Sequence, residues 1–345
     1  MRTLLLTDLH FNDKPRGLLE AQKNFVTKVF DEHDPDDVII MGDLMMHRKP
    51  TPSVLLALND VIKHITKKAP LYILRGNHDS ENKSDDGVTA LSLFESAVTQ
   101  ELLPNPRNRA ERCKVITKTW FDHRTKRAFI PHYENEEYIR EKLENVPKGY
   151  TVFGHFGYDG CLNSAGDADF HIRLNNFLND TYLGHIHGYR QTQVETDGLS
   201  RSVTILGTPY TTNFGETNKT NYYGIIEDGE LSLYVPKHGP RHVMVDREYL
   251  DGLVKEINDP NFFTMLRVLM DSSDPEPPYA DLDVAYVDIK YKPAFDDDNI
   301  SSYRPERDIF SINEVLIEDY VDSAESTLTK DQIMEGYSLL KDEDQ

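Results

Sequence analysis

The 345-residue sequence has little cysteine and no long apolar run. Cys113 and Cys161 are the only cysteines and form no CxxC motif, so a disulfide scaffold is excluded and a reducing cytoplasm is expected. No apolar run approaches the ~18 residues that a membrane span needs. The apolar start, residues 4–6, is too short for a signal peptide and is typical of a first strand. We therefore expect a cytoplasmic protein without membrane association.

Positive charge is also scarce, with 38 basic against 59 acidic residues and a net charge of −21. Proteins that bind phosphate backbones alone usually carry a basic face, so this balance argues against autonomous tight DNA binding. Basic residues cluster only modestly, at 107–114 and 123–127, where solvated surface charge is as good an explanation as DNA contact. No DNA-binding residue can therefore be assigned from the sequence.

One arrangement recurs in the N-terminal two thirds: a short apolar run ends in a turn that carries Asp, Asn or His. The five cases are residues 3–7 before Asp8 and His10, 38–41 before Gly42-Asp43, 71–74 before Gly76-Asn77-His78-Asp79, 151–153 before Gly154-His155, and 182–183 before Gly184-His185-Ile186-His187. Residues 18–33 and 53–68 have helical apolar spacing. Alternating strands and helices predict a layered α/β fold, in which sites form at the carboxyl ends of the strands. All five turns should then meet at one edge, and the glycines should let each turn approach an ion closely.

The side chains on these turns suit divalent metal ions. Carboxylate and amide oxygens mixed with imidazole nitrogens favour a borderline ion such as Mn²⁺, Fe²⁺ or Zn²⁺. The candidate ligands are Asp8, His10, Asp43, Asn77, His155, His185 and His187. This set is too large for one ion that must also hold water and substrate, whereas two ions bridged by one carboxylate accommodate it. The pattern predicts hydrolysis of a phosphoester.

The order D-x-H, G-D, G-N-H-D, G-H and G-H-x-H over residues 1–210 resembles the calcineurin-like metallophosphoesterase superfamily. The resemblance implies a layered β-sandwich flanked by helices. It places Asp8, His10, Asp43 and His187 around one ion and Asp43, Asn77, His155 and His185 around the other, with Asp43 bridging. It also implies that His78 is the catalytic residue facing the scissile phosphate, oriented by Asp79. The remaining histidines are expected to be non-ligands: His33, His47, His64, His123, His132, His171, His238 and His242.

Residues 205–210 and 213–216 resemble the segment after the last metal motif of SbcD-type DNA nucleases. That resemblance implies a DNA exonuclease/endonuclease using two Mn²⁺ ions, with Mg²⁺ as the alternative. It further implies a homodimer that acts with an SbcC-type coiled-coil ABC ATPase in recombination, DNA repair or end processing, in the cytoplasm of a bacterium or a bacteriophage-infected cell. A phosphodiesterase or phosphatase acting on a nucleotide or phosphoprotein is the enzyme alternative, and a scaffold that kept the sheet is the non-enzyme one. SbcD-type nucleases place a histidine three residues after the aspartate equivalent to Asp43, where this chain has Met46. Either His47, one residue later, takes the role of that histidine in presenting DNA for exonucleolytic attack, or the role is absent, which leaves the balance of exonuclease and endonuclease activity open.

We expect a metallophosphoesterase domain at 1–238, a small α+β unit at 239–294, a linker at 295–309 and a helical pair at 310–345. The unit at 239–294 resembles the capping domain of SbcD-type nucleases, and an ordinary accessory domain is the alternative. Strands are predicted at 241–245, 262–270 and 284–291, with a helix at 247–257. Capping boxes at Ser311/Glu314 and Thr329/Gln332 predict the two final helices. The resemblance implies that their apolar residues dock on the partner ATPase, and folding back or self-association is the alternative. These residues are Ile312, Val315, Leu316, Tyr320, Ile333, Tyr337 and Leu340.

Overall fold

A computed structural model describes residues 1–95, 112–162, 170–196, 198–277 and 279–292. The predicted linker and helical pair, with all seven expected docking residues, lie outside the described residues. So do residues 107–111 of the first basic cluster and residues 293–294 at the end of the predicted capping domain. In the described part, no helix is long and apolar enough to cross a bilayer.

The first sheet carries the first three of the predicted ligand turns. Its strand order is β12-β11-β1-β2-β3-β4, and the four strands from β1 to β4 run parallel. The bounds are β1 Arg2–Leu6, β2 Asp37–Ile40, β3 Leu71–Leu74, β4 Cys113–Ile116, β11 Tyr223–Glu227 and β12 Glu230–Tyr234. Strands β2 and β3 are buried at every residue and β1 at all but its first, because both faces of the sheet are covered there.

The second sheet carries the other two ligand turns. Its strand order is β5-β6-β7-β8-β10-β9. The bounds are β5 Trp120–Asp122, β6 Arg127–Ile130, β7 Thr151–His155, β8 Thr181–Gly184, β9 Arg190–Thr196 and β10 Leu199–Ile205. One buried cluster joins the two sheets face to face, since it combines Leu5 and Ile39 of the first with Phe129 and Phe153 of the second. The layered fold is as predicted, but the ligand turns come from two sheets rather than one.

A buried ion pair also connects the sheets. The Arg127 guanidinium on β6 donates to the Asp37 carboxylate on β2 and to the Thr3 hydroxyl on β1, at 2.6 Å for the latter. Both charged partners are buried. Arg127 was counted in the second basic cluster as surface charge or a DNA contact, and both interpretations are wrong because it packs between the sheets.

The outer faces of the sheets are covered by helices. Helices α1 (Leu18–His33) and α2 (Pro52–Thr66) pack on the first sheet through one apolar cluster, and α3 (Glu136–Glu144) packs on the second. The predicted helix at 18–33 has the observed bounds, and Thr51 caps α2 by accepting from the Val54 amide.

The last described residues form a smaller sheet of three parallel strands. They are β13 (Gly239–Asp246), β14 (Phe262–Met270) and β15 (Tyr286–Tyr291), in that order, with helix α4 (Arg247–Ile257) after β13. The helix and β14 have the bounds predicted from the sequence. Leu250 and Ile257 of α4 pack on Leu266 and Val268 of β14, so this unit has an apolar core of its own.

Candidate metal centre

The five ligand turns meet where the carboxyl ends of the two sheets adjoin. The Asp8 amide donates to the Gly42 carbonyl at 3.0 Å, and the His10 amide donates to the Asp43 carbonyl at 3.0 Å. The His185 amide, from the second sheet, donates to the Asp8 carboxylate at 3.0 Å. Hydrogen bonds of this kind fix the turns against one another without using a metal ion.

All seven predicted ligands lie in this cluster. One group of donor atoms comes from Asp8, His10 and His187, and a second from Asp43, His155 and His185. The amide oxygen of Asn77 lies 3.1 Å from His155 Nε2 and 3.0 Å from His185 Nδ1. His10 Nε2 lies 3.2 Å from His187 Nε2. Asp43 lies between the groups, with one oxygen 3.4 Å from His155 Nε2 and the other 3.8 Å from His10 Nε2.

These donor atoms fit divalent ions. Ligand atoms at ~2.1 Å from one ion are ~3.0–3.4 Å apart for octahedral or tetrahedral angles, which is close to the spacings around Asn77 and His155. Asp8 is 0% exposed, and its Oδ1 atom has no hydrogen-bond partner among the described residues. A buried carboxylate oxygen without a partner is costly, and a cation would supply one. The residues therefore fit the metal ions that the sequence implies.

The backbone at the site is held in an unusual conformation. Asp8, His10, Asp43 and His185 all have positive φ, of 50°, 45°, 49° and 82°. Residues other than glycine rarely adopt this left-handed region, and each instance costs about 1–3 kcal/mol. Four such residues in one cluster indicate that the surrounding fold over-determines the turns, as is typical of functional sites.

Two glycines make the close approach of the turns possible. A Cβ at Gly42 (φ 97°) would overlap the His155 imidazole, and one at Gly76 would overlap the Asp43 carboxylate and amide. In both cases the obstructed ligand belongs to another turn, not to the residue that follows the glycine. Each of these two glycines therefore makes room for a ligand of another turn.

Burial and charge set the protonation of the ligands. Burial lowers the pKa of His10 to about 3, so its imidazole is neutral, the form that binds metal. Burial alone would lower the pKa of His155, but the Asp43 and Asp8 carboxylates raise it to about 9. For Asp43 the attraction of His155 and His10 outweighs burial and holds the pKa well below its usual range. Asp43 therefore supplies carboxylate charge to the cluster, whereas burial raises the pKa of Asp8.

Glu216 is a site residue that the sequence analysis did not assign. Its carboxylate accepts from His187 Nδ1 at 2.5 Å and is 2% exposed. It also accepts from the Thr212 amide at 2.7 Å and from Asn213 Nδ2 at 2.9 Å. Although burial opposes ionisation, these partners, with His187 foremost, lower the pKa of Glu216 to about 2. The contact fixes Nδ1 as the protonated nitrogen of His187 and turns Nε2 toward Asp8.

His78 lies beside the ligands, as predicted, but Asp79 does not orient it. His78 Nδ1 lies 2.7 Å from the Met46 carbonyl, and its ring packs edge-on against His10 at 4.9 Å. The Asp79 carboxylate instead accepts from the amides of Gly76, Leu44 and Met45 at 2.9–3.2 Å. Asp79 therefore joins two ligand turns, and a backbone carbonyl orients the predicted catalytic histidine.

Met46 and His47 have different positions relative to the site. The Met46 side chain lines a small cleft beside His10, and its carbonyl holds His78. His47 is exposed. Of the other histidines expected to be non-ligands, His132 is buried next to the site, with its ring 6.0 Å from that of His185 and 6.2 Å from that of His155.

The family model of calcineurin-like phosphoesterases matches residues 1–189, which is more than half of the chain and includes every candidate ligand. The chain belongs to the calcineurin-like phosphoesterase family. Members use divalent metal ions, and this phosphoesterase is accordingly a metal-dependent enzyme whose described residues contain matching ligand clusters.

The chain is similar to a DNA repair protein and to a nuclease of known structure. The DNA double-strand break repair protein Mre11 of Methanococcus maripaludis is 23% identical over 186 residues, covering 52% of this chain and 47% of that protein. The chain thus matches about half of the length of this curated relative. The crystal structure of Pseudomonas putida nuclease MPE is 17% identical, with a TM-score of 0.31, and covers 67% of this chain and 87% of that one.

Proposed function

We propose that this phosphoesterase is a Mn²⁺-dependent DNA exonuclease/endonuclease subunit that hydrolyses phosphodiester bonds with two metal ions, Mg²⁺ being the alternative metal. The observation that carries the proposal is the contact between Glu216 and His187. Glu216 ends the segment 207–216, which resembles SbcD-type nucleases rather than phosphoesterases in general, and this contact builds the segment into the metal centre. The Mre11 relative is a DNA double-strand break repair protein, which supports DNA as the substrate.

In this proposal Asp8, His10, Asp43 and His187 hold one ion, and Asp43, Asn77, His155 and His185 hold the other. When bound, the ions would activate a water molecule and offset charge on the phosphoryl oxygens. Their positive charge would also offset the Asp8 and Asp43 carboxylates and favour binding of a phosphodiester despite the chain's net charge of −21.

His78 would act on the leaving group. Its Nδ1 is held by the Met46 carbonyl, so a protonated His78 presents Nε2–H as its second donor. That proton would pass to the leaving oxygen or stabilise its developing charge. The His78 amide donates a hydrogen bond to the Asp43 carboxylate at 2.8 Å, which fixes the position of His78 relative to Asp43, the proposed bridging ligand.

The partner assignments belong to the same proposal. The unit at 239–294 would be a capping domain next to the nuclease domain at 1–238. Beyond a linker at 295–309, the helices at 310–345 would dock on an SbcC-type ABC ATPase. The ATPase would supply much of the DNA-binding affinity that an acidic chain lacks. A homodimer working in the cytoplasm of a bacterium or an infected host cell completes the proposal.

One experiment tests the activity. The purified full chain with Mn²⁺ is given linear duplex DNA, single-stranded DNA and a small aryl phosphodiester, with Asp43→Ala as the inactive control. We expect metal-dependent cleavage of DNA by the wild type and none by Asp43→Ala. Robust turnover of the aryl diester with no DNA cleavage, even with a candidate ATPase added, would contradict the nuclease proposal and favour a small-substrate phosphodiesterase.

A truncation tests the partner. Deleting residues 310–345 should abolish co-purification with the ATPase while leaving hydrolysis of the aryl diester. Normal co-purification of the truncated chain with the ATPase would contradict the docking proposal without affecting the nuclease proposal.

A further inference from the structure

A cavity of about 230 Å³ lies directly beside the metal centre. Its lining includes Asn77 and His185, two of the candidate ligands, and also His132, Glu134 and Phe170. Ligand pockets typically measure ~300–1,000 Å³, so this cavity lies below that range and admits one ring system rather than a dinucleotide. A group bound here would adjoin a phosphate held at the metal centre.

The position of His132 is fixed by its backbone. Its amide donates to the Arg75 carbonyl at 2.9 Å, and the Arg75 guanidinium donates to the His132 carbonyl at 2.5 Å. Its ring lies parallel to that of His185 and edge-on to that of Phe170, both at 6.0 Å. The imidazole is therefore held at the cavity wall by contacts that do not involve its nitrogens.

Both ring nitrogens of His132 lack a hydrogen-bond partner among the described residues, and the residue is only 5% exposed. The Glu134 carboxylate is 3.7 Å from Nε2, an ion-pair distance that is too long for a hydrogen bond. Buried polar groups are normally paired, and unpaired ones call for an explanation. A polar ligand in the cavity would supply the missing partner.

The chemistry of the walls selects the ligand. Glu134 and Glu136 line the cavity together with Arg48 and Lys83, so its lining carries as many carboxylates as cations and offers no net positive charge for a second phosphate group. A nucleobase suits the walls better, because Phe170 and Tyr133 offer apolar surface while His132 and Glu134 offer hydrogen-bonding groups for its polar edge. Arg48 also lines the cavity, with its guanidinium 3.5 Å from the Glu134 carboxylate. From there it could contact a phosphate group of the substrate that lies outside the cavity.

We propose that this cavity binds the unpaired nucleoside next to the scissile phosphate, with His132 hydrogen-bonded to that nucleoside. The proposal rests on the proposed nuclease function and specifies its substrate: one strand end or one unstacked nucleotide, since a base within a duplex cannot enter so small a space. The phosphoesterase would then favour unpaired over fully paired positions.

Matched chromogenic diesters test this subsite apart from DNA cleavage. The full chain with Mn²⁺ is assayed on the p-nitrophenyl esters of thymidine 5′-phosphate and thymidine 3′-phosphate and on methyl p-nitrophenyl phosphate, which has the same leaving group but no nucleoside. We expect kcat/KM for one thymidine ester to exceed that for the methyl ester about tenfold or more, as one stacked and hydrogen-bonded base allows. His132→Asn should lower kcat/KM for that thymidine ester about tenfold more than for the methyl ester.

His123→Asn, at an exposed histidine, is the matched control and should leave the ratio as in the wild type. If His132→Asn does not fold, as judged by its melting temperature, Phe170→Leu decides by the same ratio. Equal kcat/KM for all three esters in the wild type, or equal losses on both ester types in the variant, would overturn the subsite. Because DNA cleavage is scored separately, a chain that cuts DNA but ignores the nucleoside refutes only this inference, and one that turns over esters but not DNA refutes the nuclease proposal.

Discussion

Replacing Glu216 with glutamine tests whether this buried carboxylate positions His187. The two carboxylate oxygens accept from donors on both sides, with His187 Nδ1 and Asn213 Nδ2 on one oxygen and the Thr212 amide on the other. A glutamine keeps one acceptor and gains an NH₂ group. In either orientation of the amide, a donor from His187 or Thr212 therefore faces another donor.

The expected magnitude follows from this geometry. Losing one hydrogen bond to a charged group costs about 1.5–3 kcal/mol. Removing the group that orients a metal-bound histidine commonly weakens metal affinity by about 10–100-fold, which corresponds to the same range. We therefore expect Glu216→Gln to raise the Mn²⁺ concentration at half-maximal activity by about 10–100-fold, with a smaller change in the maximal rate.

The assay is a Mn²⁺ titration of aryl diester hydrolysis, accompanied by calorimetric measurement of Mn²⁺ binding. Glu230→Gln, at an exposed glutamate on β12, is the matched control and should leave the titration midpoint unchanged. If Glu216→Gln has the wild-type midpoint while Asp43→Ala loses activity, Glu216 does not position His187 in the working enzyme and the reasoning is refuted.

Three further predictions concern the scaffold of the site. Gly76→Ala should lower metal-dependent hydrolysis more than a hundredfold, because the added Cβ overlaps Asp43; Gly252→Ala, on an open face of α4, is its control in the same rate assay. Arg127→Met should lower the free energy of unfolding in urea by about 3–5 kcal/mol, because it leaves the Asp37 carboxylate buried without its partner. Burial, assisted by Glu95, raises the pKa of Cys113 to about 12, so alkylation of this thiol between pH 7 and 9 should be slow in the native protein and fast after unfolding, because only the thiolate reacts.

Each of these predictions has a contradicting result. Near-wild-type rates for Gly76→Ala would mean that Asp43 can move without loss. An unfolding free energy unchanged in Arg127→Met would show that Asp37 finds another partner or is protonated at little cost. Mass-spectrometric detection of native Cys113 alkylated as fast as in the unfolded chain would contradict its burial on β4.

The local features of this fold were readable from the sequence. The strands before the ligand turns and the bounds of α1, α4 and β14 follow from apolar spacing and turn residues, which act over a few positions. The division of the strands between two sheets was not readable, because it depends on pairing between distant segments and on the shared core that joins Leu5 and Ile39 to Phe129.

The same limit applies within the site. Motif order was enough to collect the candidate ligands, since each lies at the end of a strand or within four residues beyond it. The role of Glu216 depends on a contact across 29 positions, and its only local signal is the Asn213-Phe214-Gly215-Glu216 turn already noted for its resemblance. Asp79 was assigned to the wrong partner because sequence adjacency to His78 does not show that its carboxylate faces the backbone of the neighbouring turn.

The central claim is that Asp43 joins two metal ions held by the seven residues at the sheet edges. Anomalous diffraction at the manganese edge, from crystals of the full chain grown with Mn²⁺, tests it most directly. We predict two anomalous peaks on opposite sides of the Asp43 carboxylate, one beside His10 and His187 and one beside His155 and His185. A single peak, or peaks away from these side chains, would contradict the account.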